Sequence, residues 1–159
     1  MYSKILGTTF ACLIALPAVA QDIMVTDSYA RSANGQTGAA FMSIMNHTDV
    51  DDQLVDVRSD AARRVELHTH TEISEGVFQM GRDEDGFEVP AHGMHQLARG
   101  GDHVMFMGLN APFVDGEAVA VTLVFENAGE IEIDIPIDLE RQPDHSQMSD
   151  HSGHGTMDN

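Results

Sequence analysis

Glu130-Ile131-Glu132-Ile133-Asp134-Ile135 alternates acidic and apolar residues without a break. A period of two belongs to a β-strand, whose successive side chains point to opposite faces, so three isoleucines face a core and three carboxylates face water. Working back along the chain, other segments read the same way. Ala118 to Glu126, His103 to Met107, Gly76 to Met80, Arg64 to His70 and Ala39 to Asn46 are all compatible with strands. Leu54, Asp56 and Arg58 alternate with Val55, Val57 and Ser59. Turn residues separate these runs: Asn34-Gly35, Asp85-Gly86, Gly100-Gly101, Asp115-Gly116 and Asn127-Ala128-Gly129. Beyond residue 20 no window carries a helical apolar stripe. Many short strands at regular spacing predict an all-β domain, an antiparallel sandwich or small barrel.

The ends read differently from this domain. Residues 1–20, MYSKILGTTFACLIALPAVA, have the layout of a secretory signal peptide: Lys4 near the start, an apolar run from Ile5 to Leu16, and Ala18-Val19-Ala20 as a small-x-small cleavage pattern. That run is shorter than the ~20 apolar residues a membrane-spanning helix needs. Cys12 lies inside the run and is followed by Leu13, Ile14 and Ala15, which argues against a lipid-attachment signal. Cleavage after Ala20 leaves 139 of the 159 residues and removes Cys12 and Lys4, the only cysteine and the only lysine. The mature chain then sets 7 Lys+Arg against 26 Asp+Glu, a net charge of −19. Such a surface repels nucleic acid and anionic lipid and attracts cations or a basic partner, although solubility alone accounts for charge of this kind.

The expected organisation is therefore a signal (1–20), one β-domain (21–139) and a polar tail (140–159). From Arg141 onward there is no Val, Ile, Leu or aromatic residue. A segment without core-forming residues cannot offset its ordering entropy, so the tail is expected to be disordered. It carries His145, Met148, His151, His154 and Met157, five donors in thirteen residues, an enrichment of metal-binding type. Imidazoles suit Cu(II) and thioethers suit Cu(I).

In the domain, the strand from His103 to Met107 puts His103, Met105 and Met107 on one face and Val104 and Phe106 on the other. If Val104 and Phe106 face the core, the His/Met face needs another reason to exist; core filling is the ordinary use of methionine. Glu66, His68 and His70 share a face on an earlier strand, and the segment ending at Met80 returns after a turn. A hairpin plus a third strand is able to gather His68, Met80, His103 and Met105 at one end of a barrel. Imidazole with thioether is a ligand set for Cu(I), and thioether does little for Zn²⁺ or Mg²⁺. His92, Met94 and His95 form a weaker group, read as a polar loop or edge strand, and His47 sits in a turn.

These stretches carry a resemblance. Val65-Glu-Leu-His-Thr-His70, Gly76-Val-Phe-Gln-Met80, Glu88-Val-Pro-Ala91 and His103-Val-Met-Phe-Met-Gly-Leu109 resemble the periplasmic copper chaperone family PCu(A)C. So do Tyr29-Ala-Arg31, Gly38-Ala-Ala-Phe-Met42 and Thr122-Leu-Val-Phe-Glu126. The likeness spans about Ile23 to Ile137. It implies a cupredoxin-like Greek-key β-barrel holding Cu(I) on His68, Met80, His103 and Met105. It also implies delivery of copper to the Cu(A) centre of haem–copper oxidases, with a Sco-type protein and a cytochrome oxidase subunit as partners. Both long gaps in the motif are one residue longer than the family's usual pattern. The extra residues fit in turns near Thr71–Gly76 and Asp83–Gly86, and His70 is the rival of His68 as ligand.

Other function classes fare worse. A blue-copper electron carrier needs a cysteine thiolate, which the mature chain lacks. No carboxylate or nucleophile constellation marks an enzyme. A copper storage or resistance protein is the alternative that the tail favours.

Overall fold

In the computed structural model, which describes residues 22–142, ten strands account for the domain and no helix occurs among the described residues. The strands are β1 (Ile23–Asn34), β2 (Thr37–Asn46), β3 (Asp52–Arg58), β4 (Ala62–Ser74), β5 (Val77–Arg82), β6 (Phe87–Val89), β7 (Met94–Leu97), β8 (His103–Leu109), β9 (Ala118–Phe125) and β10 (Gly129–Pro136). They form two antiparallel sheets. One has the order β1-β2-β8-β4-β5, with β7 also paired to β2; the other has the order β10-β9-β3-β6. β2 serves two neighbours: Thr37 to Ala40 pair with β8, and Met42 to Met45 pair with β7. After β10 the chain crosses to the first sheet, where Ile137 bridges Ala30 in parallel and the Asp138 amide donates to the Ala30 carbonyl at 2.9 Å. That crossing closes one edge of the sandwich.

The core lies between the sheets. Ala40, Met42, Ile44, Leu67, Val104 and Phe106 enter it from the first sheet, and Leu54, Val57, Val121, Leu123, Phe125 and Ile135 from the second. Full burial of one such large apolar side chain contributes roughly 1.5–3 kcal/mol. The expected strand over Glu130–Ile135 is β10, with Ile135 fully buried and the acidic residues exposed. β3 departs from simple alternation. Leu54 and Val57 differ in parity, yet both are buried, because the register against β9 shifts between Leu54 and Asp56. A bulge there leaves Val55 exposed and re-aims Val57 inward. The Asp85-Gly86 turn is equally constrained: Gly86 has φ +84°, and a Cβ on it would lie 2.2 Å from the Leu54 carbonyl oxygen.

β1, β6 and β7 are strands beyond those expected from alternation. β1 carries a register shift between Thr26 and Tyr29, with Asp27 at φ 50°. Asp is among the few residues that enter this region readily, and a bulge of this kind breaks the period-two pattern that would have announced the strand. The signal segment, Cys12, and the tail donors from His145 to Met157 lie outside the described residues.

Candidate metal centre

The registers of three strands decide which side chains meet. Across β4 and β8, His68 is opposite His103, Glu66 opposite Met105, and Arg64 opposite Met107. Across β4 and β5, His70 is opposite Met80 and His68 opposite Arg82. Directly opposed residues share a face. One face therefore carries His68, His70, Met80, His103, Met105, Met107 and Glu66. Val104 and Phe106, on the other side of β8, are fully buried in the core. The His/Met face is the outward face of the six-stranded sheet. Between Glu72 and Ser74 the β4–β5 register shifts, which absorbs one residue in the hairpin where the sequence has room for an extra one.

His103 is only 5% exposed although it points outward. Its ring is hemmed in by His68 at 5.8 Å between centroids, by His70 at 5.5 Å and by Phe41 at 6.1 Å. Phe41 in turn packs on Tyr29 at 5.1 Å, and the Arg141 guanidinium lies 4.4 Å from the Tyr29 ring centroid. Arg141 also pairs with Asp27, and its carbonyl accepts from Arg31 at 3.3 Å. Arg141, two residues past Leu139, is thus packed on the face that carries the histidines.

Hydrogen bonds assign the imidazole nitrogens. The Gly101 carbonyl lies 3.0 Å from His70 Nδ1 and 2.9 Å from His103 Nδ1. A carbonyl only accepts, so both Nδ1 atoms carry a proton, and in the neutral ring each Nε2 keeps its lone pair. His68 is wired the other way. Its Nε2 donates to Glu66 Oε2 at 3.1 Å, and its Nδ1 is buried without a hydrogen-bond partner. An unsatisfied buried polar atom costs about 1–3 kcal/mol, and a metal ion satisfies such a nitrogen as well as a proton donor does.

Burial pushes His103 below the ordinary imidazole value; the Gly101 carbonyl opposes that shift, and His68 and His70 add to it. For Glu66, burial pushes upward, but the hydrogen bond from His68 and the charges of Arg64 and Arg82 outweigh it and hold the carboxyl below its usual value. Arg64 and Arg82 approach Glu66 Oε1 at 3.6 and 3.8 Å.

Among the described residues no three His, Cys, Asp or Glu side chains converge closely enough to cage an ion by themselves. The same face also carries the neutral sulfurs of Met80, opposite His70, and Met105, opposite Glu66. Two thioethers with two neutral imidazoles form a donor set without formal charge, which suits a soft monovalent ion. Met80 is 48% exposed, so the site is open on the β5 side.

His92 and His95 are occupied elsewhere. His92 Nε2 pairs with Asp49 at 2.7 Å on the surface. His95 Nε2 donates to Asp102 at 2.9 Å and its ring stacks on Phe87. Met94 and His95 lie on β7, an edge strand, the second of the two placements expected for this group. A depression of about 630 Å³ on the other sheet, lined by Arg58, Ser59, Ala120, Thr122 and Glu132 among others, contains none of the candidate ligands. The sequence reading missed Glu66 as a partner of His68, although a spacing of two places it on the same strand face. It also missed the Gly101 carbonyl, which no side-chain pattern announces.

The LpqE-like family model, described as "Putative lipoprotein LpqE-like", matches residues 23–137. The chain belongs to the LpqE-like family. A "Putative lipoprotein" of Leifsonia xyli subsp. xyli is 32% identical over 140 residues, covering 84% of this chain and 83% of that protein. Among solved structures, the copper-bound PCuAC domain from PmoF2 superposes with a TM-score of 0.60 at 26% identity, over 74% of this chain and 93% of the domain. The solution structure of CuI-DR1885 from Deinococcus radiodurans gives 0.58 at 31% identity, over 77% and 84% of the two chains. Its apo form gives 0.58 at 27% identity, over 87% and 97%. This LpqE-like protein therefore has the cupredoxin-like all-β fold of PCuAC domains, as expected from its sequence.

Proposed function

We propose that this LpqE-like protein is an exported copper chaperone that binds one Cu(I) through His68, Met80, His103 and Met105. The observation that carries the reading is the buried, unpartnered Nδ1 of His68, whose ring lies opposite that of His103, where the Gly101 carbonyl takes up Nδ1–H and leaves Nε2 without a partner. Two such nitrogens, on a sheet face that also carries Met80 and Met105, form a donor set for Cu(I). Copper bound to the PmoF2 domain and Cu(I) bound to DR1885 support that metal over others. His70, opposite Met80, is the alternative imidazole. The protein binds and transfers its cargo rather than transforming it.

In this reading residues 1–20 direct export to the periplasm and are then removed. The lipoprotein description of the family agrees with a place outside the cytoplasm. The mass of the mature protein tests the processing: an N-terminus at Gln21 supports it, and a lipid on Cys12 overturns it. The recipient is the Cu(A) centre of a haem–copper oxidase, loaded alongside a Sco-type protein. The tail from 140 to 159 adds a weaker copper site on His145, Met148, His151, His154 and Met157, taking Cu(II) or Cu(I).

A storage or resistance role is the second reading. It is favoured by the five donors from His145 to Met157, which follow Arg141, itself packed on Tyr29, within a few residues in the chain. Anaerobic titration with Cu(I), followed by incubation with a copper-free Cu(A) domain, separates the two. Stoichiometric transfer supports the chaperone reading, and retention against that acceptor supports storage.

A further inference from the structure

Both Gly101-bonded imidazoles depend on one backbone carbonyl, and that carbonyl sits in a weak place. It belongs to the Gly100-Gly101 turn before β8, where Gly100 has φ +85°. Two consecutive glycines lose more conformational freedom on ordering than any other pair, so such a turn does not hold a peptide plane by itself. The Gly101 amide donates to the Ala98 carbonyl at 3.0 Å, which closes the turn locally but does not tie it to the strand that carries His70.

The next residue does. Asp102 Oδ1 accepts from the Thr69 hydroxyl of β4 at 2.6 Å, and Asp102 Oδ2 accepts from His95 Nε2 of β7 at 2.9 Å. Thr69 lies between His68 and His70, so the first bond fixes the turn to the strand bearing those imidazoles. The second fixes it to β7, and the His95 ring is held parallel to Phe87 of the second sheet, 5.1 Å between centroids and 6° between planes. Asp102 is three-quarters buried on its side-chain atoms, as is His95. Both carboxylate oxygens are thus spent on strands either side of the turn.

We infer that Asp102 is a positioning residue: braced by Thr69 and His95, it orients the Gly101 carbonyl and thereby sets the tautomer and ring direction of both His70 and His103. It touches no metal. Its effect reaches the candidate ligands through one peptide plane, so its loss changes which nitrogen each imidazole presents while leaving the donors in place. Outer partners of this kind typically change metal affinity 10–100-fold. The inference rests on the copper reading for its consequence but not for its geometry.

The test uses the mature apo protein and two readouts. Long-range ¹H–¹⁵N spectra report whether each imidazole carries its proton on Nδ1 or Nε2, with no metal present. Competition against a Cu(I) chelator reports affinity. The wild type is expected to show Nδ1–H at His70 and His103. Asp102→Ala is expected to give mixed tautomers at both and to weaken Cu(I) binding at least tenfold. Asp102→Asn, which still accepts from Thr69 and donates to the other tautomer of His95, is expected to restore both. Thr69→Val keeps the strand shape, removes one brace, and is expected to move both readouts in the same direction by less; it serves if Asp102→Ala does not fold. Unchanged tautomers in Asp102→Ala, or in Thr69→Val if that variant alone folds, overturn the proposal. A wild type with the expected tautomers but no Cu(I) binding overturns the copper reading instead, and the tautomer spectra of the variants still decide the role of Asp102.

Discussion

His68 and His103 face each other across β4 and β8 with ring centroids 5.8 Å apart, and the hydrogen bonds around them leave the opposite nitrogen bare in each ring: Nδ1 in His68 and Nε2 in His103. This opposition follows from the partners. A carboxylate two residues away accepts a hydrogen bond from the Nε2–H of His68, and a backbone carbonyl accepts one from the Nδ1–H of His103. Most of the predictions below probe this pair and the sulfurs beside it.

Replacing Met80 and Met105 together with Ile is expected to weaken Cu(I) binding by at least about 100-fold while the fold persists. Met80 is half-exposed and Met105 lies on the outward face, so little core volume changes and stability should move by less than about 1.5 kcal/mol. Chelator competition and urea unfolding measure the two effects. Unchanged affinity removes the sulfurs from the site.

Cu(II) bound to the mature protein should give no intense blue band. That absorption needs a cysteine thiolate, and Cys12 is the only cysteine in the chain. A strong visible charge-transfer band after export processing contradicts the ligand assignment.

Acidification should destabilise the apo fold through His103. Its native value lies below the ordinary imidazole value, so between the two the unfolded chain binds more protons than the folded one. The His103 contribution is fully present above about pH 6.5, the unfolded reference, and is lost as pH falls through the lowered native value. His103→Gln should flatten the stability profile in that window. If urea midpoints of wild type and variant run parallel from pH 7 to 5, His103 does not control acid stability.

Removal of residues 143–159 should lower total copper capacity and slow transfer while leaving the tight Cu(I) site intact. Truncation after Gln142 keeps Arg141 on Tyr29 and on Asp27, whereas deletion from residue 141 removes that anchor as well as the donors. A tethered second site acts at an effective concentration on the order of millimolar, which favours handover within one molecule. Its Cu(II) binding should weaken as pH falls through about 6.5, because protonated imidazole is no ligand. Equal stoichiometry and equal transfer rate in the truncated protein assign the tail no copper role.

The strands were legible wherever alternation is local. Glu130 to Ile135 declared its buried and exposed faces outright, and His103 to Met107 did so once Val104 and Phe106 were taken as core. β1 and the middle of β3 were not legible, because bulges at Asp27–Ser28 and at Val55 insert a residue and reverse the parity of everything that follows. β6 and β7 are three and four residues long, too short for periodicity to rise above chance.

By itself the sequence determined the fold class and the donor types, because strand periodicity and the chemistry of His and Met are properties of neighbouring residues. It placed His68 and His70 on one strand face but could not rank them, since both satisfy a period of two. Tertiary structure decided what each histidine meets: His68 opposite His103, and His70 opposite Met80. It also brought Glu66 to one ring and a single glycine carbonyl to the other two, and packed Arg141 against Tyr29. Register is set by pairing between strands far apart in the chain, and a backbone carbonyl acquires its partners only when a turn is closed against them. Neither leaves a mark in the order of side chains.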